Sequence, residues 1–188
     1  MRVSKIIQVA GTAIPVRGND IDTDQIIPAR YMRTVTFEGL GKHAFNDLRF
    51  DDKGNKKGHV FNEEKYKGAA IMIVNKNFGC GSSREHAQIS IKGAGISCVI
   101  AESFARIFLR NAINMGLPIL EIKDISKIKE GDYLEVDLAA GAITDLTEHK
   151  EYKAKPLPKF IQEIIRSGGL LKWIKKAKDK GCRVKGGG

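Results

Sequence analysis

The apolar residues of this chain fall into strands and helical stripes that alternate through its centre. Residues 69–74 read Ala-Ala-Ile-Met-Ile-Val, with no polar side chain, as a strand buried on both faces does. Residues 95–101 and 116–122 have the same character, built on Cys98, Val99 and Ile100 in the first and Leu117, Ile119 and Leu120 in the second. Between the first two, Ala87, Ile91 and Ala94 recur at helical spacing; between the last two, Phe104, Ile107, Phe108 and Ala112 do the same, and Ser103 is placed to cap that helix. Strand, turn and helix therefore repeat from residue 69 to 122, which predicts parallel strands joined by right-handed crossovers.

The pattern changes on either side of this block. Residues 4–16 alternate and break at Ala10-Gly11-Thr12, predicting an opening pair of strands with Pro15 at an edge. Residues 133–138 and 142–146 alternate around Ala140-Gly141, a hairpin signal. Pro156 and Pro158 precede a helix marked by Phe160, Ile161, Ile164 and Ile165. Ser167-Gly168-Gly169 interrupts it, and Leu170, Leu171, Ile174 and Ala177 resume it, with the lone Trp173 as a packing or partner-contact residue.

The densest chemistry lies directly after the first buried strand, in Asn77-Phe78-Gly79-Cys80-Gly81-Ser82-Ser83-Arg84-Glu85-His86. A strand-to-helix turn is where open α/β sheets bind ligands. Gly79 and Gly81 allow a tight turn, and Ser82 followed by Glu85 fits a capping box that would start the helix at Ser82. Helix N–H groups and the forked cation of Arg84 suit a carboxylate or phosphate. The turn thus predicts an anion site with hydroxyls at its centre. A dinucleotide fingerprint is excluded because Arg84 stands where the third glycine belongs, and a Walker loop because there is no Gly-Lys pair. A thiol nucleophile made of Cys80 and His86 has no identified orienting group and ranks low.

Composition narrows the classes. At 188 residues and 42% hydrophobic content the chain suits one soluble domain with a real core. No apolar run approaches the ~20 residues of a membrane span, and residues 1–9 lack a signal core, so no membrane association and a cytoplasmic location are expected. The net charge of +10 is a property of the tail: residues 149–188 hold 12 Lys/Arg against 3 Asp/Glu, while the remaining 148 residues are almost balanced. A solvated basic end explains that better than nucleic-acid binding does. Three scattered cysteines, Cys80, Cys98 and Cys182, suit a reducing compartment and make no familiar cluster spacing. Asp20-x-Asp22-x-Asp24 opens like a calcium loop but puts Gln25 at the glycine position and Tyr31 at the glutamate position, so a calcium site is rejected in favour of a turn with capping aspartates.

The decapeptide from Asn77 to His86, together with Asp22-Thr23-Asp24-Gln25-Ile26-Ile27-Pro28-Ala29-Arg30-Tyr31, resembles the signatures of the small subunits of 3-isopropylmalate dehydratase, in the aconitase superfamily. The resemblance covers roughly residues 3–175 and is strongest at 20–34 and 77–87. It implies an α/β fold, the three-layer β/β/α swivelling domain of that superfamily with a mainly parallel central sheet, spanning 1–188 as one domain with a disordered tail from about 180. It implies a hydro-lyase that isomerises 2- and 3-isopropylmalate by dehydration and rehydration in leucine biosynthesis, active only with a large subunit. A 4Fe–4S cluster is expected on that partner and none on this chain.

Carried over residue by residue, the resemblance makes Ser82 the catalytic base, acting as an alkoxide. Ser83, Arg84, Arg33 and Asp24 become substrate ligands, with Arg33 ahead of Arg30 as second substrate arginine, supported by Gly79, Cys80, Gly81 and Thr34. His43 could approach substrate, and Arg106, Arg110, Asn111 and Asn114 on the second helix could support the site or a partner. Arg33 keeps homocitrate, citramalate or dimethylmalate open as substrates, since it could pair with a further carboxylate. A stand-alone anion- or nucleotide-binding module is the reading from another class, and self-association of the isolated chain stays open.

Overall fold

The computed structural model describes residues 8–33 and 37–179. Strand β1 (Gln8–Val16) decides the architecture. Its first half, from Gln8 to Thr12, pairs antiparallel with β5 (Tyr133–Asp137); its second half, from Ala13 to Val16, pairs parallel with β2 (Ile71–Val74). The sequence predicts a turn at Ala10-Gly11-Thr12, but the chain runs through as a single strand and changes sheets there instead. Gly11 sits at the transfer because a Cβ on it would lie 2.7 Å from the Ala70 Cβ. Beyond Thr12 the β5 pairing has ended, so Pro15 lies where β1 has a strand neighbour on one side only.

Parallel strands β3 (Cys98–Ala101) and β4 (Ile119–Glu121) continue one half of the sheet, while β6 (Ala142–Asp145) and β7 (Lys150–Lys153) continue the other by antiparallel pairing. The strand order is β4-β3-β2-β1-β5-β6-β7. The hairpin around Gly141 forms as predicted, and β7 is an element that the sequence pattern missed, since Lys150, Glu151 and Lys153 leave only Tyr152 buried.

Alternation along the parallel strands builds two cores. Ala13, Ile71, Ile73, Cys98, Ile100 and Leu120 face one way and meet Leu134, Val136, Leu138, Ile143 and Tyr152 of the antiparallel half. Ile14, Val16, Met72, Val74, Val99, Ala101 and Ile119 face the other way, where Ile26, Ala87, Ile91, Phe108 and Ala112 cover them. These come from α1 (Thr23–Ile26), α3 (Glu85–Gly93) and α4 (Arg106–Asn114), with the short α2 (Asn46–Arg49) packed on α1. The layers are therefore antiparallel sheet, parallel sheet and helices, the β/β/α arrangement that the family resemblance implies. Double-sided burial is what lets strands this short hold. Each side chain of β2 gains about 1.5–3 kcal/mol on full burial, against about 1–2 kcal/mol per residue for ordering the backbone. Cys98 is a core residue of this kind, its thiol pushed up to about 12 by burial.

Helices α5 (Lys159–Arg166) and α6 (Leu170–Asp179) pack against each other and on α4, separated at Gly168-Gly169 as the pattern predicts, and Trp173 is half-buried. The expected tail from about 180 lies outside the described residues. Among the described residues no helix is long and apolar enough to cross a membrane. One predicted cap differs here. Helix α4 begins at Arg106, and Ser103 is engaged elsewhere. The apolar stripe of α4 is also turned: Phe108, Asn111 and Ala112 are buried, while Ile107 is 36% exposed.

An acidic pair lies at the end of the antiparallel layer. Asp132 is 3% exposed and Asp145 fully buried. Asp145 Oδ1 accepts from the N–H groups of Thr147 and Glu148, both at 3.0 Å, and its Oδ2 has no partner. Asp132 Oδ2 accepts from the Lys129 N–H at 2.6 Å. Burial, with Asp145 and Glu148 adding, pushes the Asp132 carboxyl above its ordinary range. The native state then holds more protons here than the unfolded chain, so this group costs stability as pH rises from the ordinary carboxylate range through its folded pKa. Asp132→Asn removes the titration. Thermal melts from pH 4 to pH 8 should show a widening advantage for the variant, reaching about 1 kcal/mol, or a few degrees, at pH 8. A variant that melts below the parent at pH 8 would contradict this account.

Candidate active site

The parallel strands β1, β2 and β3 end side by side, and the loops after them are laced together. Asp20 N–H donates to the Lys76 carbonyl (3.0 Å), Gly79 N–H to Ile21 (2.8 Å) and Thr23 N–H to Cys80 (3.0 Å). On the other side Phe78 N–H donates to Ser103 (3.1 Å) and Ala105 N–H to Phe78 (3.0 Å). Isolated bridges join Asp22 to Cys80 and Phe78 to Phe104. The loop after β2 is thus an extension of the sheet, held between its neighbours.

Side chains pin the same loop from within. Phe78 is 1% exposed and packs edge-on to Phe108 (5.1 Å) and Phe104 (6.4 Å), which themselves stack at 5.8 Å. Gly79 follows at φ +77, and a Cβ there would lie 2.2 Å from Phe108 Cδ2. Its glycine is therefore required by a turn and by close packing, not by a ligand. Asn77 adopts φ +51, which asparagine tolerates; its Nδ2 donates to Asp20 Oδ1 (2.8 Å) and its N–H to Ser103 Oγ (2.9 Å). Cys80 donates its thiol to the Asp20 carbonyl at 3.3 Å, and burial with the charges of Asp22 and Asp20 pushes that thiol up, away from a reactive thiolate.

The next three residues, Ser82, Ser83 and Arg84, are each tied to a side chain from another element. The Thr23 hydroxyl donates to the Ser82 carbonyl (3.0 Å). Asn111 Nδ2, on α4, donates to Ser83 Oγ (3.1 Å). Arg84 Nη1 donates to Asp24 Oδ1 in an ion pair, with Arg84 the more covered partner at 22% side-chain exposure against 56%. Thr23 and Asp24 lie on α1, which Asp22 opens in a full capping box with Gln25. Ser82 and Ser83 themselves are exposed.

These ties correct the predicted helix start. A helix from Ser82 would use the Ser82 carbonyl for its own ladder. That carbonyl accepts from Thr23, Arg84 is extended, and α3 begins at Glu85 with no side chain capping it. The first-turn N–H groups are therefore free of a side-chain cap just behind the two serines.

The structure brings together Ser82, Ser83, Arg84 and Asp24, with Gly79, Cys80 and Gly81 as their frame. Arg33 closes the turn Ala29–Arg33, but its side chain, and all of Thr34, lie outside the described residues. Arg30 is engaged: it pairs with Asp47, and its guanidinium lies 4.7 Å over Tyr31. His43 stacks on that same tyrosine at 4.0 Å, a packing role. Sequence reasoning missed Thr23 as a tether and had Asn111 only as general support; their sole signal was a polar residue that the fold buries. The serines stand on open surface. Cavities of about 790 and 600 Å³ occur elsewhere, neither lined by Ser82, Ser83 or Arg84. Among the described residues no three His, Cys, Asp or Glu side chains are grouped to hold a metal, and Cys80 and Cys98 lie apart, one in the turn and one buried in β3, so they do not fit an iron–sulfur cluster.

The geometry can be set beside known proteins. The family profile described as Aconitase C-terminal domain matches residues 3–125, which spans the whole site. A 3-isopropylmalate dehydratase small subunit from Ruminiclostridium cellulolyticum is 52% identical over 159 residues, 84% of this chain and 91% of that one. One from Methanosarcina mazei is 47% identical over 159 residues, covering 85% and 92%. The crystal structure of 3-isopropylmalate dehydratase from Methanocaldococcus jannaschii superposes with a TM-score of 0.77 at 36% identity, over 93% of this chain and 98% of that one. With its serine turn laced between two neighbouring loops on a β/β/α frame, the chain belongs to the aconitase C-terminal domain family, among the small subunits of 3-isopropylmalate dehydratase.

Proposed function

We propose that this chain is the small subunit of a two-chain hydro-lyase that interconverts 2- and 3-isopropylmalate in leucine biosynthesis. Loss of water gives an enoate, and re-addition places the hydroxyl on the neighbouring carbon. In this reading the described fold works as one swivelling domain that carries its groups to a large subunit. The iron–sulfur cluster belongs to that partner, where it would act as Lewis acid on the departing hydroxyl.

This chain's part is to take the proton and hold the carboxylates. Ser82 is the base, removing the proton from the carbon next to a carboxylate as the neighbouring C–O bond breaks. A serine hydroxyl is far too weak a base in water. Cationic Arg84 and the uncapped N-terminus of α3 are the neighbours that favour its alkoxide. Ser83 and Arg84 bind a substrate carboxylate, and Asp24 acts on substrate through Arg84, which it orients. Arg33 is the second substrate arginine. Phe37, 53% exposed and 5.4 Å from the His86 ring, offers an apolar surface beside the turn for the isopropyl group. The observation that carries this reading is that Ser82, Ser83 and Arg84 are each tied from outside their own loop while both serines stay exposed, as groups awaiting a second wall would be.

Anaerobic reconstitution with the cluster-loaded large subunit from the same source tests it. The enoate's absorbance, followed with 2-isopropylmalate and homocitrate in parallel, should rise only in the mixture and with isopropylmalate. Turnover of homocitrate alone would move the reading to the other malate-type substrates. Ser82→Ala should cut kcat by about 10²–10⁴-fold, the usual weight of a general base. If it turns over normally, Ser82 is not the base. Arg84→Lys keeps the charge but loses the fork, and KM should rise about tenfold or more; an unchanged KM would remove Arg84 from the carboxylate site.

A further inference from the structure

Helix α4 buries an asparagine among apolar side chains. Phe108, Asn111 and Ala112 face inward and Asn111 is 4% exposed, while Ile107 is left 36% exposed. Burying an amide costs free energy unless it is hydrogen-bonded, so this side chain needs a partner. What the amide finds is Ser83 Oγ, at 3.1 Å from Nδ2. Its own helix supplies no such contact to the exposed serine turn, which lies 28 residues earlier in the chain.

The direction of that bond has a chemical result. An amide N–H can only donate, so Ser83 Oγ accepts with a lone pair, and its hydroxyl proton is left to point away from α4. A carboxylate has only acceptors to offer. Ser83 held this way presents a donor to substrate, next to the donors of Arg84. Were the serine free to rotate, its lone pairs could face the anion as readily as its proton.

We propose that Asn111 is a positioning residue that holds Ser83 with its O–H toward the substrate carboxylate; this rests on the carboxylate-site reading given above. The reconstituted two-chain enzyme tests it with 3-isopropylmalate as substrate. Asn111→Ala should raise KM about fivefold, the weight of one such hydrogen bond, with kcat within about twofold. In a Ser83→Ala background the same change should do almost nothing, because the group it acts through is gone. Asn111→Asp keeps the shape but has no N–H; it should match or exceed the alanine defect, and melting of that variant shows that the fold is kept. Equal effects of Asn111→Ala in both backgrounds, or a parental KM in Asn111→Asp, would overturn the proposal. Should Ser82→Ala abolish turnover while the Asn111–Ser83 cycle is additive, only this inference fails. Should the parent enzyme not act on 3-isopropylmalate at all, both fall.

Discussion

The constraint on which the rest depends is that one strand serves two sheets. β1 pairs antiparallel from Gln8 to Thr12 and parallel from Ala13 to Val16. That change of partner lets the antiparallel half cover one face of the parallel strands while helices cover the other. With both faces buried, the parallel strands can be short and wholly apolar, and their carboxyl ends can finish together. Strand β1 then leads straight into Asp20–Asp24, and β2 into the serine turn. The site is assembled at this meeting of strand ends because the loops there can go on hydrogen-bonding to one another after the strands have ended.

Exposure and rigidity are usually opposed in a loop, and here they are combined. Ser82 and Ser83 are exposed, yet the loop that bears them is anchored by Phe78 in an aromatic cluster, by backbone bonds to both neighbouring loops, and by Thr23, Asn111 and Asp24. Burying Phe78 supplies on the order of 1.5–3 kcal/mol to that anchorage, with about 0.5–1.5 kcal/mol more per aromatic pair. The Arg84–Asp24 pair adds less to stability, because it is half in solvent. Its value is geometric, since it fixes a forked donor beside the serines.

Much of this was legible in the sequence. Unbroken apolar runs gave the parallel strands, helical spacing gave α3 and α4, and the density of Gly, Ser and Arg between residues 77 and 86 marked the turn. What escaped was whatever depended on a partner distant in sequence. The Ser82–Glu85 spacing is a sound cap signal locally, and it fails because Thr23, 59 residues away, takes the Ser82 carbonyl. Ser103 was a sound N-cap, and it fails because Asn77, in a left-handed conformation, needs its hydroxyl. Gly79 reads in sequence as a turn glycine, and the ring of Phe108 requires it as well. The break at Gly11 looked like a turn because a glycine between alternating segments usually is one; only the closeness of Ala70 explains it as a passage between sheets. Strand β7 gave no alternation to find, because three of its four residues are exposed.

The open face of the site has its own logic. A base as weak as serine is useful only where its surroundings are fixed in advance and water is excluded at the moment of reaction. On the proposed reading the fixed surroundings belong to this chain, where Ser82, Ser83 and Arg84 are tied by Thr23, Asn111 and Asp24. Exclusion of water does not, since the two serines are exposed. The two requirements therefore fall to different bodies. On the proposed reading, a domain that carries Ser82 on an exposed, tethered turn can approach and leave a second surface without rearranging itself, so substrate can enter between them and the barrier to water need form only when the two meet.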